Sequence, residues 1–202
     1  LTAFNDSLIY QMGLEVARQC IADGINLNFA PCIDVNNNPR NPVINSRSFG
    51  ENRDKVVTKA ALYLKGMQDG GITGCIKHFP GHGDTETDSH LGLPTIRKSR
   101  AELEEMELYP YRQLLGRNPE MVMVAHLHIP ALDDSHKSVS SLSYPIVTGL
   151  LKQELGYSGL VITDGLEMKG VRNGNKFEGD IEIRCLLAGA DLLLLPGETG
   201  TV

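Results

Sequence analysis

A segment near the middle of the chain carries its densest set of side chains that can exchange protons. It runs from Lys77 to His90 and reads Lys-His-Phe-Pro-Gly-His-Gly-Asp-Thr-Glu-Thr-Asp-Ser-His. Asp88 and His90 are two residues apart, so the carboxylate can accept a hydrogen bond from one imidazole nitrogen and direct the other nitrogen towards a substrate. Because imidazole titrates near neutral pH, the pair indicates general acid–base chemistry. The alternative is a solvated polar loop in which His90 has no chemical role.

A second candidate, Asp164, directly follows the apolar run 160–163 and precedes a glycine. At the carboxyl end of a buried strand, its carboxylate could attack the anomeric carbon of a sugar or coordinate a metal ion. The alternative is that it caps the helix that follows. Arg47 lies in the stretch Asn-Ser-Arg-Ser-Phe-Gly-Glu, where its guanidinium could bind a hydroxyl, carboxylate or phosphate group, or pair with Glu51 at the surface.

His126 and His128 are two residues apart at the end of another apolar run. On a strand both rings would face the same side, and together with Asp164 they could bind a catalytic metal ion. In metal-dependent barrel amidohydrolases, however, the His-x-His pair belongs to the first strand and the Asp to the last. Here the pair follows the third clear strand and Asp164 the next one, so we expect loop or supporting roles for these histidines and no metal.

The candidate residues are distributed over an alternation of short apolar runs and helical patterns. The runs predict buried strands at 25–30, 72–76, 121–125, 160–163 and 191–195. Apolar residues at helical spacing predict helices at 6–22, 55–67, 100–115, 145–155 and 180–187. Strands that are apolar on both faces and separated by helices are typical of a parallel sheet.

The loops after the strands are long and polar, whereas connections at the other end, such as Gln-Asp-Gly-Gly, are short. This asymmetry is typical of a (β/α)8 TIM-type barrel, whose functional loops lie at the carboxyl ends of the strands. An open doubly wound sheet is disfavoured because no Gly-rich phosphate turn follows a strand. Five strands in 202 residues, starting inside a helix, predict one domain, 1–202, that is the C-terminal majority of a catalytic barrel lacking its N-terminal βα units.

Composition excludes several classes of protein. The net charge of -6 argues against a nucleic-acid-binding surface, and the absence of an 18-residue apolar run argues against a membrane partner. The four cysteines are widely spaced and the sequence has no Cys-x-x-Cys motif. We therefore expect the cysteines to be reduced core residues and not ligands of a zinc site. These features favour a cytoplasmic location, with a periplasmic one as the alternative because the native N-terminus is expected to be missing. They leave the oligomeric state undetermined.

In this order and at these strand ends, the motifs resemble the glycoside hydrolase family 3 β-N-acetylglucosaminidases of the NagZ-like group. The resemblance extends from about residue 6 to residue 196 and includes NFAPCIDVN, NSRSFGE, GCIKHFPGHGDTETDSHLGLP, VAH and GYSGLVITDGLEM. The long segment that ends in Asp-Ser-His separates this group from family 3 β-glucosidases, whose acid/base is a Glu from a second domain. An Asp-Gln-Glu-Gly-Gly strand end, which contributes a sugar-binding Asp in the family, has no match here.

The resemblance implies hydrolysis of terminal β-linked N-acetylglucosamine with retention of configuration, from peptidoglycan fragments, without cofactor or metal. It implies that Asp164 is the nucleophile, His90 the general acid/base and Asp88 its partner. Residues that match sugar-binding positions are Arg47, Lys77, His78 and, less firmly, His126. The expected partner is a small carbohydrate that contains N-acetylglucosamine.

Three alternatives remain open. One is a metal-dependent barrel hydrolase that uses His126, His128 and Asp164. A second is an N-acetylglucosamine phosphorylase, because a His acid/base repels an anionic phosphate acceptor less than a Glu would. The third is a relative that binds the sugar without turning it over.

The role of His90 leads to a test based on the leaving group. We predict that His90→Ala slows hydrolysis of substrates with poor leaving groups by about 10²–10⁴-fold, the usual contribution of a general acid. Activated aryl glycosides need less protonation and are largely spared. Rates on a disaccharide and on a 4-nitrophenyl glycoside measure this difference. An equal loss on both substrates contradicts the role.

Overall fold

A computed structural model describes residues 5–87, 92–117, 119–135, 138–172 and 179–196. The α-helices are α1 (Asp6–Ala22), α2 (Arg53–Asp69), α3 (Arg100–Glu105), α4 (Tyr109–Leu114), α5 (Lys169–Arg172) and α6 (Asp180–Ala188). A helix of π type spans Pro145–Glu154, and short 3₁₀ turns span Asn45–Arg47, Leu115–Arg117 and Ser140–Leu142. The strands are β1 (Leu27–Asn28), β2 (Thr73–Phe79), β3 (Met121–Val124) and β4 (Leu160–Thr163).

The four strands form one parallel sheet in the order β1-β2-β3-β4. Cys75 pairs with Met121, and Val122 pairs with Val161. Each strand therefore lies beside its neighbour in sequence, with helical segments in the connections. A doubly wound sheet reverses its strand order at a switch point, whereas a barrel adds each new strand on the same side. The observed order is that of consecutive βα units of a barrel.

Both faces of the sheet are apolar, as the sequence predicts. One face packs against the helices through residues such as Ile76, Val122 and Val161, which belong to the main core together with α1 and α2. The opposite face carries Met121 and Met123 in a separate cluster. Three of the four cysteines are buried and all four are free thiols. None of the described helices is long and apolar enough to cross a membrane.

Three predicted elements are wrong in detail, and one of them, the strand at 25–30, is reduced to Leu27–Asn28. The helix expected at 100–115 is split into α3 and α4, with Pro110 in the first turn of α4. Proline has no N–H to donate to the preceding turn, so the helix restarts there. The run 191–195 forms only an isolated parallel bridge, between Leu192 and Ile162. Its Leu194 N–H bonds to the Thr163 side chain instead of a backbone oxygen, and Leu195 has φ +49°, so the ladder cannot continue.

Helices α1 and α2 approach each other through glycine. A Cβ on Gly13 would lie 2.2 Å from the Tyr63 carbonyl oxygen, and a Cβ on Gly66 would lie 2.2 Å from the Tyr10 carbonyl oxygen. Both obstacles are backbone atoms, which cannot move aside as a flexible side chain could. The close contact of the two helices therefore requires glycine at both positions.

We predict that Gly13→Ala lowers the free energy of unfolding by about 1–3 kcal/mol, because the added methyl group forces the two helices apart. Gly116→Ala is the matched control, since a Cβ there meets nothing within 4 Å. Urea denaturation followed by circular dichroism measures both variants. If Gly13→Ala is as stable as Gly116→Ala, the helices are not held in this close contact.

Candidate functional site

Asp34 lies at the centre of the polar network beside the strand ends. Its side chain is fully buried. Oδ1 accepts the His82 N–H at 2.6 Å. Oδ2 accepts the His78 N–H at 3.2 Å and lies 2.6 Å from His78 Nδ1, and it also accepts the Cys32 thiol at 3.2 Å. Burial opposes the charge, but His78, His82 and their hydrogen bonds outweigh it and hold the pKa of Asp34 well below its usual value.

The His78 ring connects Asp34 to Arg47. Arg47 Nη2 lies 3.2 Å from His78 Nε2. A guanidinium can only donate, so Nε2 accepts and the ring proton is on Nδ1, from which it is donated to Asp34. The 3₁₀ turn Asn45–Arg47 places the exposed Arg47 side chain, and the next residue, Ser48, donates to the Asp34 carbonyl oxygen at 2.6 Å. The orientation of Arg47 thus depends on the buried Asp34.

The turn that follows β2 is held by Asn41 from the loop after β1. The Asn41 amide donates to the carbonyl oxygens of His82 at 2.8 Å and Gly83 at 2.9 Å. Its own carbonyl oxygen accepts two backbone N–H groups of its loop, each at 2.8 Å. A Cβ on Gly83 would lie 1.8 Å from the Val35 carbonyl oxygen, so only glycine allows the two loops to meet. The first part of the 77–90 segment is therefore well fixed.

Asp164 follows β4, where its N–H donates to the Val124 carbonyl oxygen at 2.8 Å. Oδ1 of Asp164 accepts the Gly165 N–H at 2.9 Å. Burial raises the pKa of this carboxyl, but His78, His126, the Gly165 N–H and Lys77 together lower it below its usual value. Asp164 is therefore a partly buried, ionised carboxylate that the Gly165 N–H and the positive charge of Lys77 help to stabilise. Such a group can act as a nucleophile.

Lys77 in β2 and His126 directly after β3 both act electrostatically on Asp164. The Lys77 pKa is lowered from its usual value, mainly by burial and then by Arg47, while Asp164 partly offsets this effect. His126 is fully buried, with Nδ1 2.7 Å from Ser141 Oγ and Nε2 3.1 Å from the Gly165 carbonyl oxygen. Both ring nitrogens of His126 are thus engaged by the protein itself.

The structure brings four of the sequence-predicted residues together around one site, with Arg47 joined to it through His78. The four are Lys77, His78, His126 and Asp164. Asp88 and His90 lie outside the described residues. Asp34 and Asn41 were not among the candidates, although each follows a predicted strand on a polar loop. The one local signal for Asp34 is an acidic residue between two apolar ones, Ile33 and Val35.

One group of side chains has metal-ligand chemistry. Among the residues described, potential ligand atoms of Cys32, Asp34 and His78 lie within 4.8 Å of one another, whereas His126, His128 and Asp164 form no such group. Burial, followed by the nearby Asp34, raises the pKa of the Cys32 thiol well above its usual value, which disfavours the thiolate that a metal needs. His78 Nδ1 and Asp34 Oδ2 are joined directly at 2.6 Å. This donor set fits a hydrogen-bond network better than a metal centre.

Comparison with known proteins places the chain in a family. Residues 2–202 match the family described as the glycosyl hydrolase family 3 N terminal domain. The chain belongs to glycosyl hydrolase family 3. Beta-hexosaminidase A of Pseudoalteromonas piscicida is 45% identical over 186 residues, which are 86% of this chain and 30% of that protein. The Beta-hexosaminidase of Neisseria meningitidis serogroup C (strain 053442) is 35% identical over 188 residues, or 92% of this chain and 50% of that protein.

A solved structure supports the same assignment. The glycoside hydrolase family 3 beta-N-acetylglucosaminidase from Paenibacillus sp. str. FPU-7 matches with a TM-score of 0.91 and 41% identity, over 95% of this chain and 36% of that one. The predicted (β/α)8-type fold is confirmed for this family 3 N-terminal domain, and the sheet formed by the described strands is not closed. The chain spans between 30% and 50% of the length of these three relatives.

The charge around Asp164 in this family 3 domain can be tested directly. We predict that Lys77→Met raises the pKa of Asp164, because a nearby positive charge that favours the carboxylate is removed. The carboxylate then becomes protonated at a higher pH as the solution is acidified. NMR titration of the Asp164 side-chain carbon measures the shift. Lys152→Met is the control, since Lys152 pairs with Asp191, and an equal effect of both variants contradicts the prediction.

Proposed function

We propose that this chain is the C-terminal majority of the catalytic barrel of an exo-acting β-N-acetylglucosaminidase that hydrolyses its substrate with retention of configuration. The observation that carries the proposal is Asp164, a partly buried carboxylate directly after β4 whose pKa is lowered by His78, His126 and Lys77 despite its burial. Barrel enzymes of this type carry their catalytic groups at the carboxyl ends of the strands, where Asp164 lies. The identity of the sugar is proposed from the names of the relatives.

In the proposed reaction, Asp164 attacks the anomeric carbon and the bond to the leaving oxygen breaks. Because Gly165 N–H already binds Oδ1, we assign the attack to Oδ2. Protonated His90, whose positive charge Asp88 stabilises, donates its proton to the leaving oxygen and becomes neutral. His90 then removes a proton from water, which attacks the glycosyl-enzyme and releases the sugar and free Asp164. Two displacements retain the β configuration.

The hydroxyl groups of the sugar are bound, in this proposal, by the cationic side chains at the first two strand ends. The ammonium of Lys77 and the remaining N–H groups of Arg47 donate to sugar oxygens. His78 accepts from Arg47 and donates to Asp34, so it supports Arg47 beside the sugar. A neutral sugar needs several such donors at fixed positions, and the buried Asp34 supplies that fixed frame.

The natural substrate is proposed from the relatives and from the exo-acting reaction. Beta-hexosaminidase A is 45% identical, and the structurally similar Paenibacillus enzyme is named a beta-N-acetylglucosaminidase. We propose N-acetylglucosamine linked to N-acetylmuramic acid, as in peptidoglycan fragments, as the disaccharide. No nucleic acid or membrane takes part in this proposal.

The test is hydrolysis of 4-nitrophenyl β-N-acetylglucosaminide by the complete protein that carries this sequence. We predict release of 4-nitrophenol in preference to release from the β-glucoside. Asp164→Ala lowers turnover by about 10⁴-fold or more, as expected when a covalent nucleophile is lost. Asp23→Ala, a carboxylate exposed at the end of α1, is the control and keeps full activity.

Each other result points to a different function. If the wild-type protein hydrolyses neither the β-N-acetylglucosaminide nor the β-glucoside, the glycosidase is contradicted and binding of the sugar is left as the alternative. Loss of activity on chelation favours a metal-dependent hydrolase. A sugar 1-phosphate formed when phosphate is added indicates a phosphorylase.

A further inference from the structure

Two consecutive serines of the 3₁₀ turn Ser140–Leu142 form hydrogen bonds that position His126. Ser140 Oγ donates to the Ala125 carbonyl oxygen at 2.5 Å and accepts the Leu127 N–H at 2.9 Å. It therefore fixes the backbone on both sides of the histidine. Ser141 Oγ lies 2.7 Å from His126 Nδ1 and fixes the ring. Both serines are buried, so water does not compete for these bonds.

The group that faces Nε2 of His126 determines which partner donates in each hydrogen bond to the ring. His126 Nε2 lies 3.1 Å from the Gly165 carbonyl oxygen, which can only accept. Nε2 therefore carries the proton, and in the neutral ring Nδ1 accepts from the Ser141 hydroxyl. Burial, the largest influence, lowers the pKa of His126 and so favours this neutral ring.

We infer that Ser141 and His126 are positioning residues that hold the Asp164 carboxylate through Gly165. The bonds run from Ser141 O–H to His126 Nδ1, from His126 Nε2–H to the Gly165 carbonyl oxygen, and from Gly165 N–H to Asp164 Oδ1 at 2.9 Å. Glycine has more backbone freedom than any other residue, so anchoring its carbonyl restricts the N–H that it presents to Asp164. The Met168 N–H, at 3.1 Å, helps to anchor the same carbonyl.

This inference rests on the proposed role of Asp164 and gives His126 a different task from sugar binding. The His126 ring is fully buried and both of its nitrogens are hydrogen-bonded to the protein. It therefore positions the nucleophile through Gly165 instead of binding the sugar. Loss of Ser141 removes the hydroxyl that holds the ring at Nδ1, so the ring is less well oriented to donate from Nε2 to Gly165. The carboxylate would then be less well oriented for attack, while the sugar-binding side chains keep their positions.

The kinetic test compares two buried serines of the same loop in the complete protein, with 4-nitrophenyl β-N-acetylglucosaminide as the probe. Ser141→Ala lowers kcat about 10–100-fold, the size expected for misplacement of a reacting group, and leaves KM within about twofold. Ser143→Ala is the matched control, because its hydroxyl donates to Asp133 Oδ2 at 2.6 Å. It keeps the wild-type kcat. Equal kinetic losses in the two variants would overturn the inference.

A double-mutant cycle tests whether Ser141 acts through His126. In His126→Gln, the side-chain amide supplies an N–H donor that needs no tautomer control. Adding Ser141→Ala to this variant changes kcat by less than about twofold, since the two residues form one unit. Independent, multiplicative effects of the two substitutions would show that Ser141 has only a structural role.

The tautomer itself is visible without any turnover. ¹⁵N NMR of His126 shows protonated Nε2 and unprotonated Nδ1 in the wild type, and a displaced Nδ1 chemical shift in Ser141→Ala, where the hydroxyl donor to Nδ1 is lost. A protonated Nδ1 in the wild type would falsify the inference on its own. An inactive wild-type protein with the expected tautomer would instead contradict the proposed glycosidase, so the two failures are distinguishable.

Discussion

The buried carboxylate of Asp34 is the constraint on which the arrangement of the site depends. An ionised group without solvent is costly unless hydrogen-bond donors surround it, and here the donors are the backbone and ring N–H groups of His78 in β2 and the backbone N–H of His82 after it. The same charge determines which nitrogen of His78 carries the proton, and that proton position allows Arg47 to bind the other nitrogen. One interior charge thereby determines the orientation of an exposed cation.

Two histidines in this site are fixed as opposite tautomers, because a hydrogen-bond acceptor faces Nδ1 of one ring and Nε2 of the other. A carboxylate that only accepts places the proton of His78 on Nδ1, whereas a carbonyl that only accepts places the proton of His126 on Nε2. Neither ring has the free nitrogen that a general acid–base residue needs. This is consistent with proton transfer by a residue elsewhere on the loops, and with supporting roles for both rings.

Much of the fold could be predicted from the sequence because hydrophobic periodicity is a local signal. The bounds of α1 and β4 were predicted correctly, and the strand ends that carry Lys77, His78 and Asp164 follow from the apolar runs before them. Asp34 could not be singled out, because its importance comes from donors 44 residues away in the chain. The irregular backbone at 191–195 also depends on a tertiary contact, the bond from Leu194 N–H to Thr163.

The contacts that join one loop to the next close chain segments of nearly equal length. Asp34 and His78 are 44 residues apart, Asn41 and His82 are 41 apart, and His126 and Gly165 are 39 apart. The entropy lost on closing a loop grows only slowly with its length, so these contacts carry similar entropic costs. Each closes within neighbouring βα units, and none of the three requires distant parts of the chain to meet. The polar network can therefore assemble stepwise as each unit folds against the one before it.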